Sequence, residues 1–490
     1  MTNKTASPQL SQDIVKDRAF IGGRWMEAKS GAAFDVVNPA NDDVIASVPD
    51  MGAEETRDAI SHADKAFKEW SKLHPSKRAE IMFRWSDLIL RRADDLGLLM
   101  TAEQGKPFAE ARGEVVAAAA TVRHCAEEGK RLYGDFIEGA KEGTKIIVSR
   151  HPVGVVGAVT PWNFPVGMIT RKVSPALAAG CTVVLKPAEA TPLCALALAA
   201  LAEEAGVPAG VLNIVTTAKA APVGKALTSD SRVKKISFTG STAVGKTLMA
   251  GAAEHVQKIS LELGGNAPFI VFPSADLEKA VDGAIASKFR NAGQTCICAN
   301  RIFVHEEVMD AFSALFLKKL KALKVGVGWE KDVAIGPLIN EKAVEKIEKM
   351  LEQALVSGGK ILTGGKRHIP GKTFFEPTLL HNVADDQPLA REEIFGPVAV
   401  LYSFASEEDL LRRANDTPYG LAGYVYSNDM GEVWRVSDGL EYGMIGVNEP
   451  LLSNDLSPFG GVKESGIGKE GGKYGLVEYT SLKYRLFGGF

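Results

Sequence analysis

The stretch Val153-Gly-Val-Val-Gly-Ala-Val-Thr160 opens a series in which short apolar strands alternate with helices as far as residue 261. The pattern predicts strands at 153–160, 182–186, 211–215 and 233–238, each followed by a helix that begins near residue 165, 191, 219 or 242. Strands of this kind form a parallel sheet with helices on both faces. We therefore expect a doubly wound α/β fold whose ligands bind beyond the carboxyl ends of the strands.

A second alternating series starts at Pro268-Phe-Ile-Val-Phe272 and predicts a second doubly wound domain. Its helices are expected at 276–290, 306–323 and 340–357, and the boundary between the two series lies near Gly264-Gly265. Before the first series, short strands between 20 and 48 are followed by helices at 54–70, 76–103 and 107–130, and by a hairpin at 134–151. The sequence therefore predicts two sheet domains and a projecting hairpin.

The composition excludes several classes of partner. The formal net charge is −3, from 57 basic and 60 acidic residues, so no overall field attracts nucleic acid or an anionic membrane. No window approaches the roughly eighteen apolar residues of a membrane span, and residues 1–12 lack the apolar core of a signal peptide. We expect neither nucleic acid nor membrane as a partner.

The cysteines are scattered without the spacing of zinc ligands, so we expect no metal site. They are Cys125, Cys181, Cys194, Cys296 and Cys298. Five unpaired thiols are typical of a protein in the reducing cytoplasm, which is the location we expect.

The run Phe289-Arg-Asn-Ala-Gly-Gln-Thr-Cys-Ile-Cys298 holds the residue best suited to covalent chemistry. A cysteine attacks a carbonyl group only as the thiolate, which requires a polar and partly open pocket. The polar residues before Cys296 supply that polarity. A lone cysteine is more often a small core residue, so this interpretation depends on partners elsewhere in the chain.

The octapeptide Gly240-Ser-Thr-Ala-Val-Gly-Lys-Thr247 matches the phosphate-loop pattern G-x-x-x-x-G-K-[ST] between a strand and a helix. Taken alone, it favours a nucleotide triphosphatase. The strand after it ends in Glu262 rather than in a magnesium-binding aspartate, and a dinucleotide pyrophosphate also binds at a helix amino terminus. We interpret the match at Lys246 as coincidence and keep the triphosphatase as the alternative of a different class.

Six motifs taken together, from about residue 20 to the carboxyl terminus, make the sequence similar to the aldehyde dehydrogenase family. They are Pro161-Trp-Asn-Phe-Pro165, Lys186-Pro-Ala-Glu189, Phe238-Thr-Gly-Ser241, Leu261-Glu-Leu-Gly-Gly265, Gly293-Gln-Thr-Cys296 and Glu392-Glu-Ile-Phe-Gly-Pro397. The resemblance implies a dinucleotide-binding domain at 1–130 and 150–262, a catalytic domain at 263–468, and an oligomerisation element at 131–149 and 469–490. It also implies a homodimer or a homotetramer.

The resemblance implies three catalytic roles. Cys296 is the expected nucleophile, which forms a thiohemiacetal and then a thioester with the aldehyde. Glu262 is the expected general base for the hydrolytic water. The Asn163 amide, together with the Cys296 backbone N–H, is the expected oxyanion hole. Without the motifs, Glu262 would be a solvated glutamate and Asn163 part of a rigid turn.

For the cofactor the resemblance implies NAD, with NADP as the alternative. The expected contacts are Thr160, Pro161, Trp162, Lys186, Glu189, Gly240, Ser241, Glu393 and Phe395. Lys186 and Glu189 match the adenosine-ribose contacts, Ser241 matches the pyrophosphate contact, and Glu393 and Phe395 match the nicotinamide-ribose contacts. An acid at position 189 accepts hydrogen bonds from a free ribose hydroxyl and repels a phosphate, so NAD is favoured.

Two arginines narrow the expected substrate, because arginine forks bind carboxylates in a bidentate manner. Arg171 and Arg290 flank Asn163 and Cys296 in sequence. Together with Ser453 they resemble the succinate semialdehyde dehydrogenase branch of the family, which implies an aldehyde with a carboxylate at its far end. Glutarate semialdehyde or 2-oxoglutarate semialdehyde would use the same arginines, so the chain length stays open.

Two further alternatives follow from the same residues. Cys298 is either a small residue near the pocket or, as in some relatives, the partner of Cys296 in a reversible disulfide. A catalytically inactive scaffold would keep the fold without the chemistry.

Overall fold

The structure is a computed structural model that describes residues 9–369 and 371–489. Most of the amino-terminal segment 1–12, interpreted above as lacking a signal peptide, lies outside the described residues. Within the described ranges, no helix has the length and apolar character needed to cross a membrane.

The amino-terminal part consists of short strands followed by a helical layer. Its elements are β1 (Ala19–Ile21), β2 (Arg24–Met26), β3 (Ala33–Val37), β4 (Val44–Pro49), α1 (Ala53–Trp70), α2 (Pro75–Arg91), α3 (Ala93–Gln104) and α4 (Phe108–Glu128). The prediction of one helix over 76–103 was wrong, because the chain leaves the helical conformation at Arg92 (φ −100°, ψ 21°). The Arg92 guanidinium pairs there with Asp13 and Asp95.

A hairpin and then the first parallel series follow. The elements are β5 (Asp135–Glu138), β6 (Thr144–Pro152), β7 (Val155–Val159), α5 (Pro165–Ala179), β8 (Thr182–Lys186), α6 (Pro192–Glu204), β9 (Leu212–Ile214), α7 (Ala220–Ser229), β10 (Val233–Thr239), α8 (Thr242–Ala252) and β11 (Lys258–Glu262). The five strands β7 to β11 pair in parallel in the order β11-β10-β7-β8-β9, and β1 and β2 extend the β9 edge in antiparallel fashion. The doubly wound arrangement is confirmed.

Local sequence explains why these elements form. All five residues of β8 are buried, as expected for a central strand that helices cover on both faces. Proline stands at the start of α5, where a missing N–H costs nothing and the fixed φ suits the first helical turn. The same helix ends at Gly180, whose φ of 97° favours a residue without a side chain.

The second series builds a separate sheet. Its elements are β12 (Ala267–Val271), α9 (Leu277–Phe289), β13 (Ala299–His305), α10 (Met309–Leu320), α11 (Glu341–Val356), β14 (Lys360–Thr363), β15 (Thr378–His381), α12 (Pro388–Arg391), β16 (Val398–Phe404), α13 (Glu407–Asn415), β17 (Ala422–Tyr426), α14 (Met430–Gly439) and β18 (Met444–Val447). The strand order is β14-β15-β16-β13-β12-β17-β18, and within the described strands of this sheet only the β14–β15 pair is antiparallel.

The carboxyl-terminal segment differs from the predicted domain bounds. It contains β19 (Gly466–Ile467), α15 (Gly472–Val477) and β20 (Thr480–Gly488). Although β19 falls within the range 263–468 assigned to the catalytic domain, it pairs with β11 of the first sheet. Helix α15 packs against α4 and α5, and only β20 joins the hairpin, along β6. The chain thus returns to the first sheet before it reaches the three-stranded sheet β20-β6-β5.

Candidate active site

The Cys296 side chain lies where two cavities meet. One cavity, of about 250 Å³, is lined by Arg171, Arg290 and Ser453 among others. The second, of about 280 Å³, is lined by the loops after β7 and β10 and by the segment around Glu393. Cys296 lines both, as do Phe164 and Met168. A small molecule in the first cavity and a cofactor in the second would therefore both reach the thiol.

The backbone before Cys296 adopts an uncommon conformation. Asn291, Ala292 and Gly293 have φ angles of 52°, 55° and 75°. For Ala292 this left-handed conformation costs on the order of 1 kcal/mol or more. A side chain at Gly293 is excluded, because a Cβ there would lie 2.1 Å from the Gly396 carbonyl oxygen.

Hydrogen bonds from other elements hold this loop. The Asn291 N–H donates to Glu110 (2.8 Å), and its side-chain amide donates to the Asn163 carbonyl oxygen (3.0 Å). Gln104 donates to the Asn291 side-chain oxygen (2.9 Å). The first turn of α4 and the end of α3 therefore position the nucleophile loop, which no motif in the sequence indicated.

The surroundings of Cys296 disfavour its thiolate form. Burial raises its pKa above the usual range, and the carboxyl groups of Glu393 and Glu262 raise it further. The Cys296 carbonyl oxygen lies against Gly265, where a Cβ would approach it to 2.4 Å. The lack of a side chain at Gly265 therefore allows the two segments to approach closely.

Glu262 ends β11 and is only 2% exposed. Among the described residues, neither of its carboxyl oxygens has a hydrogen-bond partner. Burial raises the pKa of Glu262, and the charge of nearby Glu470 raises it further. Glu470 itself pairs with the buried Lys172 on α5. Neither cavity is lined by Glu262, although the next two residues, Leu263 and Gly264, line the second.

Asn163 lines the second cavity beside Cys296. Its side-chain amide donates to the Gln294 carbonyl oxygen (3.0 Å), and its own side-chain oxygen is buried without a partner within the described residues. Within the same ranges, no group accepts a hydrogen bond from the Cys296 N–H. Lys106 donates to the Asn163 carbonyl oxygen (2.7 Å) and fixes the turn. The Cys296 N–H therefore has no acceptor among the described residues, and the Asn163 amide has a second N–H beyond the one that donates to Gln294.

The second cavity collects most of the expected cofactor residues. Those that line it are Pro161, Trp162, Gly240, Ser241, Glu393 and Phe395. Phe395 has a φ of 57° and packs edge to face against Trp162, at 5.5 Å between ring centroids. Burial raises the pKa of Glu393 to about 7, although a hydrogen bond from the Gly265 N–H opposes the shift. The Thr239 hydroxyl is also buried without a partner among the described residues, which suits a polar ligand.

Thr160, Lys186 and Glu189 do not line this cavity. They follow the carboxyl ends of the neighbouring strands β7 and β8, where the Thr160 N–H donates to the Lys186 carbonyl oxygen (3.2 Å). The Lys186 ammonium, nearly buried, pairs with the Glu189 carboxylate at 3.1 Å. The Glu189 side chain is 55% exposed. The Lys186–Glu189 ion pair therefore lies at the same edge of the sheet as the second cavity, but outside that cavity.

The phosphate-loop match does not form a phosphate loop. Helix α8 begins at Thr242, so Gly245 and Lys246 lie in helical turns rather than in a loop that precedes the helix. The Lys246 ammonium pairs with Glu464 at 2.8 Å and is 61% exposed. Ser241 caps the helix instead, since its hydroxyl accepts from the Val244 N–H. This geometry argues against a triphosphatase.

The first cavity brings together the three residues expected to bind the substrate. Arg171 donates from Nη2 to the Ser453 hydroxyl (2.6 Å) and lies over the Phe459 ring at 4.4 Å. Its Nη1 is buried without a partner among the described residues. Arg290 lies over the Phe164 ring at 5.1 Å. Neither contact was predicted from the sequence, because each joins residues that lie far apart in the chain.

Cys298 is buried behind the site. Its thiol donates to the Gly293 carbonyl oxygen (3.4 Å), and the buried Lys288 ammonium lies 3.8 Å from its sulfur. All five cysteines are free. The Cys298 side chain therefore contacts the inner side of the nucleophile loop, and the disulfide with Cys296 stays a prediction.

Cys296 thus stands where a cavity at the carboxyl edge of the first sheet meets an arginine-lined cavity. The chain belongs to the aldehyde dehydrogenase family, whose model matches residues 25–484. It is 52% identical to the succinate-semialdehyde dehydrogenase [NADP(+)] GabD of Escherichia coli (strain K12), over 97% of this chain and 98% of that protein.

Two other comparisons also match this chain to semialdehyde dehydrogenases. A glutarate-semialdehyde dehydrogenase of Pseudomonas putida (strain KT2440) is 52% identical over 96% of this chain and 98% of its own length. The crystal structure of succinate-semialdehyde dehydrogenase from Burkholderia pseudomallei superposes with a TM-score of 0.97 and 53% identity, covering 98% of this chain and 99% of that one. Enzymes of this family bind NAD or NADP, and the fold expected from the sequence is confirmed.

Proposed function

We propose that this chain oxidises succinate semialdehyde to succinate with a nicotinamide dinucleotide. The observation that carries the proposal is the convergence of Arg171 and Arg290 on the cavity that also contains Cys296. Within the part of the chain that the structure describes, the Nη1 of Arg171 is buried without a partner, and a ligand oxygen would satisfy this donor. A carboxylate on the far end of the aldehyde supplies that acceptor.

In the proposed mechanism the Cys296 thiol gives its proton to solvent water, and the sulfur attacks the aldehyde carbon, forming a C–S bond as the carbonyl π bond opens. The developing oxyanion accepts hydrogen bonds from the Asn163 amide and the Cys296 N–H. Trp162, Ser241, Glu393 and Phe395 would hold a nicotinamide dinucleotide in the second cavity, where it would supply the hydride acceptor needed to oxidise the thiohemiacetal to a thioester. Glu262 then removes a proton from the water that hydrolyses the thioester, which releases the acid and the thiol.

For the cofactor we propose a preference for NAD. The support is Glu189, whose exposed carboxylate accepts hydrogen bonds from a ribose diol and repels a 2′-phosphate. Lys186, at 3.1 Å, neutralises part of that charge, so the preference is modest. NADP is the alternative, and it is the cofactor in the name of the Escherichia coli relative.

The substrate alternatives are glutarate semialdehyde and 2-oxoglutarate semialdehyde. The same two arginines would bind their carboxylates, and a relative of equal identity bears the glutarate name. We further propose a cytoplasmic homodimer or homotetramer that assembles through the sheet β20-β6-β5. Tyr133, Phe136, Leu482 and Tyr484, in or beside that sheet, are each more than 60% exposed.

The test is formation of reduced nicotinamide by the purified protein. Succinate semialdehyde, glutarate semialdehyde and an uncharged aldehyde of equal length are each assayed with NAD and with NADP. We expect a large preference for the two acids and no turnover in Cys296→Ser. Equal rates on the uncharged aldehyde would contradict the proposed substrate class, and magnesium-dependent ATP hydrolysis would favour the triphosphatase.

A further inference from the structure

The carboxylate of Glu110 joins two functions of the site. Glu110 lies in the first turn of α4, and its Oε2 accepts a hydrogen bond from the Asn291 N–H at 2.8 Å. Asn291 directly follows Arg290, and it begins the left-handed backbone that leads to Cys296. One peptide group therefore connects the substrate arginine, the nucleophile loop and this carboxylate.

The two cationic groups near Glu110 differ in how far other residues already pair with them. Lys106 is committed elsewhere, because its ammonium pairs with Glu114 at 2.5 Å and donates to the Asn163 carbonyl oxygen. The charged groups that face Glu110 are Lys106, Arg290 and Glu114. Burial raises the pKa of Glu110, and the positive charges of Lys106 and Arg290, with the Asn291 N–H, oppose the rise.

The Glu110 carboxylate attracts the Arg290 guanidinium electrostatically, but the two groups form neither a hydrogen bond nor an ion pair within 4 Å. Among residues 9–369 and 371–489, the guanidinium has neither a hydrogen bond nor an ion pair within 4 Å, and its described contact is the Phe164 ring. Its donors thus stay available to a ligand in the cavity that it lines. A negative charge behind it still weakens its field at the ligand.

We propose that Glu110 is a positioning residue with two separable roles, one in placing the Cys296 loop and one in limiting the affinity of Arg290 for a carboxylate. The inference rests on the proposed function, since it assumes a carboxylate at Arg290. The hydrogen bond to Asn291 holds the strained loop in the conformation that presents the thiol. The charge keeps the acid product from binding too tightly, because the product retains the carboxylate that Arg290 holds.

Two variants separate the roles. Glu110→Gln removes the charge and keeps an oxygen that accepts from the Asn291 N–H. Glu110→Asp keeps the charge and withdraws the carboxylate by one methylene, so the hydrogen bond is lost. Glu127→Gln, in the last turn of the same helix, is the matched control. KM, kcat and the inhibition constant of succinate are measured for each, with succinate semialdehyde and with the uncharged aldehyde.

In Glu110→Gln we expect KM for succinate semialdehyde and Ki for succinate to fall about fivefold, the effect of removing a like charge near the site. Its kcat and its KM for the uncharged aldehyde should stay within twofold of the wild type. In Glu110→Asp we expect kcat to fall about 10- to 100-fold on both aldehydes, as for a displaced nucleophile. Its KM for the acid should be unchanged.

Each role is overturned by its own result. An unchanged succinate Ki in Glu110→Gln would exclude the charge role, and an undiminished kcat in Glu110→Asp would exclude the loop role. If Glu110→Asp does not fold, Glu110→Gln alone tests whether the two roles are separable. A tenfold fall of its kcat would show that they are not. Failure of the proposed function looks different, because the wild type would then show no preference for acids.

Discussion

The Nη2 of Arg171 donates to the Ser453 hydroxyl at 2.6 Å, although 282 positions separate the two residues. Arg171 stands on α5 of the first sheet domain, whereas Ser453 stands in the loop after β18 of the second. The bond joins the two domains at the first cavity, and among the described residues it leaves the buried Nη1 without a partner.

The first prediction concerns the arginines. Arg171→Ala or Arg290→Ala should raise KM for succinate semialdehyde about 10- to 100-fold, because a hydrogen bond to a charged group contributes about 1.5–3 kcal/mol. Steady-state kinetics on the uncharged aldehyde should change little. Arg123→Ala, on the exposed side of α4, is the control. Equal losses on charged and uncharged aldehydes would show a structural role instead.

The second prediction concerns the proton on Glu262. Because the general base acts only when ionised, thioester hydrolysis should accelerate as pH rises through the Glu262 pKa. Glu470→Gln removes a negative charge that raises this pKa, so the acidic limb of the profile should move to lower pH. Rapid-mixing measurement of hydrolysis from pH 5 to 9 tests the shift. A move toward higher pH would contradict the assignment.

The third prediction concerns cofactor selectivity. Glu189→Gln removes the charge that repels a 2′-phosphate and should raise kcat/KM for NADP relative to NAD by about tenfold, since 1.4 kcal/mol of repulsion is lost. Lys186→Met should lower kcat/KM for NADP relative to NAD, because it leaves the Glu189 carboxylate without its cationic partner. The ratio of the two specificity constants is the readout.

The fourth prediction concerns stability against pH. Glu103 on α3 accepts from the Leu193 and Cys194 N–H groups at the start of α6, and burial raises its pKa to about 7. A carboxyl with a raised pKa in the folded state stabilises the fold at low pH, and that stability is lost as pH rises toward about 7. The loss is on the order of 3 kcal/mol.

Glu103→Gln cannot ionise, so its free energy of unfolding should fall less than that of the wild type between pH 5 and pH 8. Urea unfolding at several pH values measures both slopes. Parallel slopes would show that Glu103 does not titrate in this range.

The fifth prediction concerns the two neighbouring cysteines. If Cys296 and Cys298 form a disulfide, peroxide should inactivate the protein reversibly, with two thiols lost on titration and activity restored by a reductant. Cys298→Ser should convert this into irreversible loss, because the oxidised Cys296 then lacks a partner. The Cys298 thiol faces Gly293 and Lys288 at rest, so the disulfide requires its side chain to rotate. Unchanged thiol titration would exclude it.

Much of the fold could be predicted from the sequence, since β7 and the centre of β8 are apolar runs, each followed by a helix. Such runs are stable only when both faces of a sheet are covered, which settles the parallel arrangement and the edge where ligands bind. Asn163 follows β7 and Glu262 ends β11 at that edge, whereas Cys296 lies in the loop before β13 of the second sheet. The break at Arg92 was missed because the residues around it are good helix formers.

The sequence by itself thus determined the doubly wound fold and the residue types of the site. Only the tertiary structure decided which groups meet: Arg171 with Ser453, Glu262 with Glu470, and Glu110 with Asn291. Local patterns report periodicity and turns, which depend on a few neighbouring residues. Contacts between residues more than 150 positions apart depend on how the two sheets and the returning β19 segment pack, and that follows from the whole core.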